Sequence, residues 1–343
     1  MTRIFTSLVL FGATLFVPPL AALAVTIDTV PVGNAGNAPD QLYTFNNPNN
    51  LQFGAVAYDY RIGTTEVTNA QYVEFLNAKA AGDPLALYNT NMGSTIRGGI
   101  TRSGVSGSFT YTTKLGRDNM PVNFVSWYDS IRFSNWLDNG QGTGDTETGA
   151  YTLLGGTPTP SNGLSVTRNA GATWFLPTEN EWYKSAYHEP SSQGGDVDDY
   201  WLYPTASNSV PTIATANSVG DIDNPGANVA NYFSGADWNG QDGNVTTVGS
   251  AGPLSQSFYG TADQGGNVWE WNEALVSSST RGYRGSSWFG VADFLRSSFR
   301  SNVDPTAELN NFGFRVATVP EPSTAVLAIF ACALMWVLRK RFK

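Results

Sequence analysis

The sequence predicts an α+β domain with low regular secondary structure, a few helices and short strands. Three observations predict it. Helix signatures occur at three places only, all before about residue 190. Glycine and proline are abundant, 36 and 18 of 343 residues, while only 14% of residues are charged. Ten tryptophans stand within a 41% hydrophobic complement, and indole rings bury large areas when they pack. A turn-rich chain with this much apolar material makes a globular body, not a disordered one.

Along the chain, residues 1–24 read as a signal peptide. Arg3 supplies the positive start, Ile4 to Phe16 is almost wholly apolar, and Ala22-Leu23-Ala24 is a small-x-small cleavage site. Residues 25–54 form a lead-in segment, rich in Asn, Pro and Gly up to residue 50. Phe53 to Ile62 alternates in the manner of strands. The first helix starts after Thr68, with Gln71 completing a capping box and Tyr72, Phe75 and Leu76 on one face. The second runs from about Tyr128 to Leu137, capped by Ser126, with Ile131, Trp136 and Leu137 inward. The third follows Thr178, whose box closes on Glu181. Beyond residue 190 the chain is Gly/Asn/Asp-rich loop broken by short aromatic stretches, Val268 to Trp271 and Phe312 to Arg315. Long ordered loops need holding, and buried tryptophans and bound cations are the candidates.

The C-terminus carries a second address. Pro320-Glu321-Pro322 precedes an apolar run from Thr324 to Leu338 and a basic Arg339-Lys340-Arg341. Fifteen apolar residues fall short of the ~20 that span a bilayer squarely, and the basic stop suits a transient membrane anchor. The arrangement over 319–343 resembles the PEP-CTERM sorting signal of Gram-negative bacteria. That resemblance implies recognition by an exosortase-type sorting enzyme and delivery to the cell surface or extracellular matrix.

The formal charge is −9. Five of the 19 basic residues and one of the 28 acids lie in the two ends, so the body carries about −13. Such a body does not attract nucleic acid; it favours cations. The one cysteine, Cys332, sits in the C-terminal run, so the body has no disulfide and no thiol chemistry. The one histidine, His188, reads as a surface or helix-terminal residue, and a lone histidine excludes a three-histidine metal site. No spacing singles out a pair of carboxylates for hydrolysis.

Six motifs then stand in a familiar order: Gly63-Thr64-Thr65-Glu66-Val67-Thr68-Asn69, Pro121-Val122 through Asp129, Leu176-Pro177-Thr178-Glu179-Asn180-Glu181-Trp182, Gly265-Gly266-Asn267-Val268-Trp269-Glu270-Trp271, Arg284 to Trp288, and Gly313-Phe314-Arg315. Together they resemble the formylglycine-generating enzyme (sulfatase-modifying factor) family over residues 55–318. The resemblance implies a C-type-lectin-like fold, with irregular structure and short antiparallel strands around a small sheet. It also implies an oxidase that uses a cysteine pair and copper placed just after the motif seen here as Arg284 to Trp288. Phe289 to Ser297 holds no cysteine in any register. Copper and the formylglycine reaction, which need thiolate, are therefore not expected.

Carried over by position, the family's structural calcium would take side-chain oxygens from Asp263 and Glu270 and carbonyls from Gly266 and Val268. A second calcium would take Asn231 and Tyr232 on one edge and Asp242 and Asn244 on the other. These are the oxygen donors a hard cation prefers. The family's substrate groove falls on Trp288, Phe289, Phe294 and Arg296, with Arg300 and Asn311 nearby, and aromatic and guanidinium groups suit sugar or peptide contacts. Arg300 and Arg315 read better as internal ion pairs. The expectation is an exported, calcium-stabilised protein that binds an extracellular polysaccharide or protein, or serves in a matrix. The alternative is an enzyme of the same family with a changed mechanism.

Overall fold

The computed structural model describes residues 24–41 and 51–319. The signal-like segment up to 23, and the Pro-Glu-Pro, apolar run and basic tail from 320, lie outside the described residues. Among the described residues no helix is long and apolar enough to cross a membrane.

The three capped helices form where the local signals place them. β1 (Thr29–Val32) and β2 (Tyr60–Gly63) pair antiparallel, and α1 (Asn69–Lys79) follows with Thr68 as N-cap and both hydrogen bonds of the capping box made. A single turn, α2 (Asn91–Ser94), leads into the hairpin β3 (Ile100–Ser103) and β4 (Thr110–Thr113). α3 (Trp127–Asp138) is capped by Ser126 with Asp129 at the third position, and it is buried along nearly its whole length. β5 (Trp174–Phe175) precedes α4 (Glu179–Tyr187), capped by Thr178 and Glu181. Side-chain caps of this kind are worth about 1 kcal/mol each. The Phe53–Ile62 stretch yields a strand only at its end, because its earlier residues spend their backbone groups on the lead-in: the Val56 and Phe53 carbonyls accept from the N–H groups of Gly36 and Asp40.

After α4 come β6 (Thr212–Ile213) and β7 (Val229–Ala230), then the long hairpin β8 (Trp269–Ser277) and β9 (Thr280–Arg284), then β10 (Ser301–Val303), β11 (Phe312–Gly313) and β12 (Ala317–Thr318). Two four-stranded sheets result, ordered β1-β2-β12-β5 and β10-β9-β8-β11. Pairing is antiparallel except at β11–β8 and β6–β7. This is a mixed α+β fold with a few helices and short strands, as the sequence predicts.

The main core gathers α1, α3 and both sheets around Tyr72, Phe75, Phe133, Trp136 and Phe314, whose rings meet edge-to-face or stacked at 5.4–6.5 Å. Two indoles tie α3 to β8 reciprocally. Trp127 donates to the Asn272 carbonyl at 2.9 Å, and Trp271 donates to the Val125 carbonyl at 3.0 Å. Buried guanidiniums hold the loops. Arg132 clips the Thr157 and Pro158 carbonyls, Arg281 those of Gly163, Leu164 and Val166, and Arg284 those of Ser297 and Phe299. A guanidinium offers five donors in a fixed fork, so one side chain satisfies carbonyls that irregular backbone leaves unpaired. Arginines thus share the holding of these loops with the tryptophans.

Candidate functional site

Two features concentrate polar chemistry: a carboxylate cluster under the Gly265–Gly266 turn, and a cleft beside β8.

The cluster comprises Glu66, Asp263, Glu270 and Arg315. Gly266 brings the turn close: its φ is +96°, and a Cβ there would stand 2.1 Å from the Asn231 carbonyl oxygen. Glu270, on β8, is fully buried. Arg315 donates to both of its oxygens, at 2.6 and 2.7 Å, and the Trp182 indole adds a bond at 2.7 Å. Arg315 also clips the Gly63 and Ala262 carbonyls, both at 2.9 Å. Glu270, which the resemblance names as a calcium ligand, thus has both oxygens engaged by a guanidinium. Asp263 accepts the Gly249 N–H at 2.5 Å. Burial, with the Glu270 charge adding, pushes its carboxyl up to about 6. Glu66 lies just after β2, 1% exposed, and neither carboxylate oxygen has a hydrogen-bond partner among the described residues. Burial first, then the charges of Asp263 and Glu270, raise its carboxyl well above the usual range. Among the described residues no group of three or more His, Cys, Asp or Glu side chains is arranged to hold a metal ion.

In the second expected calcium set, the Asn231 amide donates to the Asn244 carbonyl at 2.9 Å, and its own Oδ1 is buried with no partner among the described residues. The Tyr232 carbonyl takes the Gly235 N–H, and its hydroxyl donates to Pro211. Asp242 is exposed and faces the cleft. Val268 packs its side chain into a small core with Met120, Val245 and Trp288.

The cleft encloses about 530 Å³ and is walled by Phe233, Phe289, Phe294, Trp269, Ser287 and Asn311. Phe233 and Phe289 are 59% and 67% exposed, a large apolar rim. Trp269 and Phe294 line it and pack at a tilt on each other and on Phe299, with centroids 4.4–5.9 Å apart. The Asn311 amide donates to the Ser287 hydroxyl at 3.2 Å. Phe294 and Arg296 line an adjoining hollow with Phe299, and Arg296 faces Asp293 across 3.9 Å. Trp288 does not line the cleft. It is 5% exposed, its ring inward under Arg97 at 4.3 Å. Trp288 and Phe289 are the central residues of a turn closed by the Gly290 N–H on the Ser287 carbonyl at 2.9 Å, with Trp288 buried and Phe289 exposed. Arg300 is held by Glu179 at 2.7 Å, as is Arg284 at 2.8 Å, and so is a structural ion pair. His188 caps the end of α4 but is buried, not surface-lying. Its Nδ1 is 2.7 Å from the Tyr259 hydroxyl, and burial lowers its imidazole to about 4. Phe233, Trp269 and Ser287 were not foreseen as groove residues. Phe233 comes from a loop 56 residues upstream of Phe289, with left-handed backbone at φ +56°, and no short-range pattern links the two.

Residues 31–319 match the sulfatase-modifying factor enzyme 1-like domain. The chain belongs to this family. Its fold is similar to that in the crystal structure of CarF, at 21% identity, TM-score 0.54, covering 86% of this chain and 99% of that one. Treponema denticola variable protein 1 matches at 20% identity and TM-score 0.49, over 85% and 95% of the two chains, and PvdO from Pseudomonas aeruginosa at 17% and 0.45, over 86% and 92%. No curated protein matches the chain. The segment that follows the Arg284–Trp288 motif supplies Phe289, Gly290, Val291 and Phe294 to the cleft wall.

Proposed function

We propose that this member of the sulfatase-modifying factor family is an exported binding protein. It holds an extracellular polysaccharide or protein segment in the Phe233–Phe289 cleft and is sorted to the cell envelope or matrix through its C-terminal signal. The observation that carries this reading is the cleft's lining. Exposed aromatic rings sit beside amide and hydroxyl groups, with one carboxylate, Asp242, and no cysteine or histidine among the described residues that wall it. Rings of this kind supply contact area, and the amides and hydroxyls orient a ligand. The groups that would abstract a proton or form a covalent intermediate are not gathered there.

A calcium-class cation fits the reading at Glu66 and Asp263. Both are oxygen donors suited to a hard ion, and Glu66 has two oxygens that nothing else engages. When bound, such an ion would neutralise two carboxylates that the buried Arg315 leaves uncompensated. Its role would be structural.

Calorimetric titration of the purified chain with the exopolysaccharide of its source organism tests the proposal. Saturable binding without release of new reducing ends is expected, weakened at least tenfold by Phe233→Ser with Phe289→Ser. Turnover of the polysaccharide, or binding unaffected by that pair, would overturn it.

A further inference from the structure

We infer that the chain carries a second carbohydrate site, sharing no residue with the cleft, in a concavity of about 460 Å³. It lies between residues 159–165, the start of α3, the turn at Ser279 and the 304–306 turn. The volume falls in the range typical of small-molecule sites, roughly 300–1,000 Å³. This inference goes beyond the cleft reading, and only the choice of an extracellular glycan as occupant rests on that reading.

The floor presents a free donor. Tyr128 is 3% exposed and lines the concavity, and its hydroxyl, which no group among the described residues engages, opens into it. Residue 163 must be glycine for the hydroxyl to keep its position, because a Cβ there would stand 2.2 Å from it.

Both walls are fixed in advance. Behind one, Arg281 donates to the carbonyls of Gly163, Leu164 and Val166 at 2.8–3.3 Å. Asn162 is pinned by the Leu154 N–H at 3.0 Å and the Thr152 carbonyl at 2.9 Å. On the other wall the Trp127 N–H holds the Pro305 carbonyl at 3.0 Å, and Asp304 Oδ1 accepts from the Thr306 N–H at 2.9 Å and hydroxyl at 2.7 Å. A site set before its ligand arrives spends little ordering entropy on binding.

The lining selects the ligand. Ser161, Ser165 and Thr306 present hydroxyl oxygens as acceptors, their protons already given to the Leu154 carbonyl, the Asn162 carbonyl and Asp304, and Ser279 adds another hydroxyl; Asp304 is the single charged group, and Pro305 with the Tyr128 ring offers an apolar surface. No basic side chain is present to receive a sulfate, phosphate or uronate, and Asp304 would repel them. A neutral sugar ring fits: its hydroxyls meet Asp304 and the Tyr128 donor, and its C–H face meets Pro305. A chain with this site and the cleft would engage two glycan segments at once, and linked sites of that kind raise avidity without any new contact.

The purified chain is titrated with neutral hexasaccharides of glucose, galactose and mannose and with a uronate hexasaccharide. The titrations are run in the Phe233→Ser/Phe289→Ser background, so that failure of the cleft reading and of this one are read separately. A neutral hexasaccharide should saturate that variant at one site per chain, and the uronate should not. Adding Tyr128→Phe should weaken binding at least tenfold with no fall in thermal midpoint, since the hydroxyl supports no internal bond. Gly163→Ala should remove binding. If no neutral hexasaccharide binds, if the uronate is preferred, or if Tyr128→Phe leaves the affinity in place, the site is refuted.

Discussion

Arg315 and Glu270 form a fully buried two-pronged ion pair, 2.6 and 2.7 Å across its bonds, at the crossing of the two sheets' loops. The pair satisfies Glu270 and leaves Glu66 and Asp263 without a full counter-charge in the same interior. Most of the testable consequences of this fold follow from that imbalance.

Removing one member of the pair strands the other. Arg315→Met should destabilise by about 3–5 kcal/mol, the usual result of exposing an unpartnered charge to a dry interior. The Gly63 and Ala262 carbonyls lose their donor at the same time. Denaturant melts of both single variants and the Arg315→Met/Glu270→Met double check this. The double should recover part of the loss.

Glu66 and Asp263 set a pH dependence. Both carboxyls are raised in the folded state, Asp263 to about 6 and Glu66 well above its usual range. Their unfolded values are near 4. Their contribution is therefore complete below about pH 4 and is lost as pH rises through 6 and beyond. His188, lowered to about 4, acts in the opposite sense: its contribution is present above about 6.5 and lost as pH falls. In chelator at pH 7.5, Glu66→Gln with Asp263→Asn should raise the thermal midpoint. Calcium should raise the parent's midpoint and leave the double variant's unchanged. A parent midpoint indifferent to calcium removes the cation from the picture.

Trp288 and Phe289 should separate stability from binding. Trp288→Ala removes a 5%-exposed ring from under Arg97 and should lower stability by about 3 kcal/mol, with binding altered only through folding. Phe289→Ala, at a 67%-exposed position, should shift stability by under about 0.5 kcal/mol while weakening ligand binding. Thermal melts alongside titrations distinguish the two.

Gly266→Ala should fail to fold stably at 37 °C. The residue combines φ +96° with a Cβ position 2.1 Å from backbone oxygen, and backbone cannot step aside as a flexible side chain can. Soluble yield and circular dichroism report it.

What the sequence made legible was local. Thr68, Ser126 and Thr178 announce their helices because a capping box is written in four consecutive residues, and all three boxes form. The family order of motifs carried the fold, since each motif supplies a clip or an anchor, such as Glu179 for Arg284 and Arg300. What escaped was burial and facing, which depend on distant segments. Glu66 reads as one more motif acid until β12 and the 262–266 turn close over it. Trp288 and Phe289 look alike in sequence and lie on opposite sides of the backbone. Glu270 and Arg315 stand in different motifs, and neither motif announces their mutual contact. The β3–β4 hairpin lacks a strong two-residue turn signal and went unnoticed.

β12 lies between β2 and β5, paired with both, and the segment proposed as a sorting signal begins right after it. If the chain is tethered by that segment, tension would enter at Ala317 and Thr318. It would spread at once to a strand on either side, instead of peeling an edge. A cut beyond residue 319 would spare this sheet, whereas one two residues earlier would split it. On the proposed tethering, the placement of this strand would double as a mechanical seat for the tail.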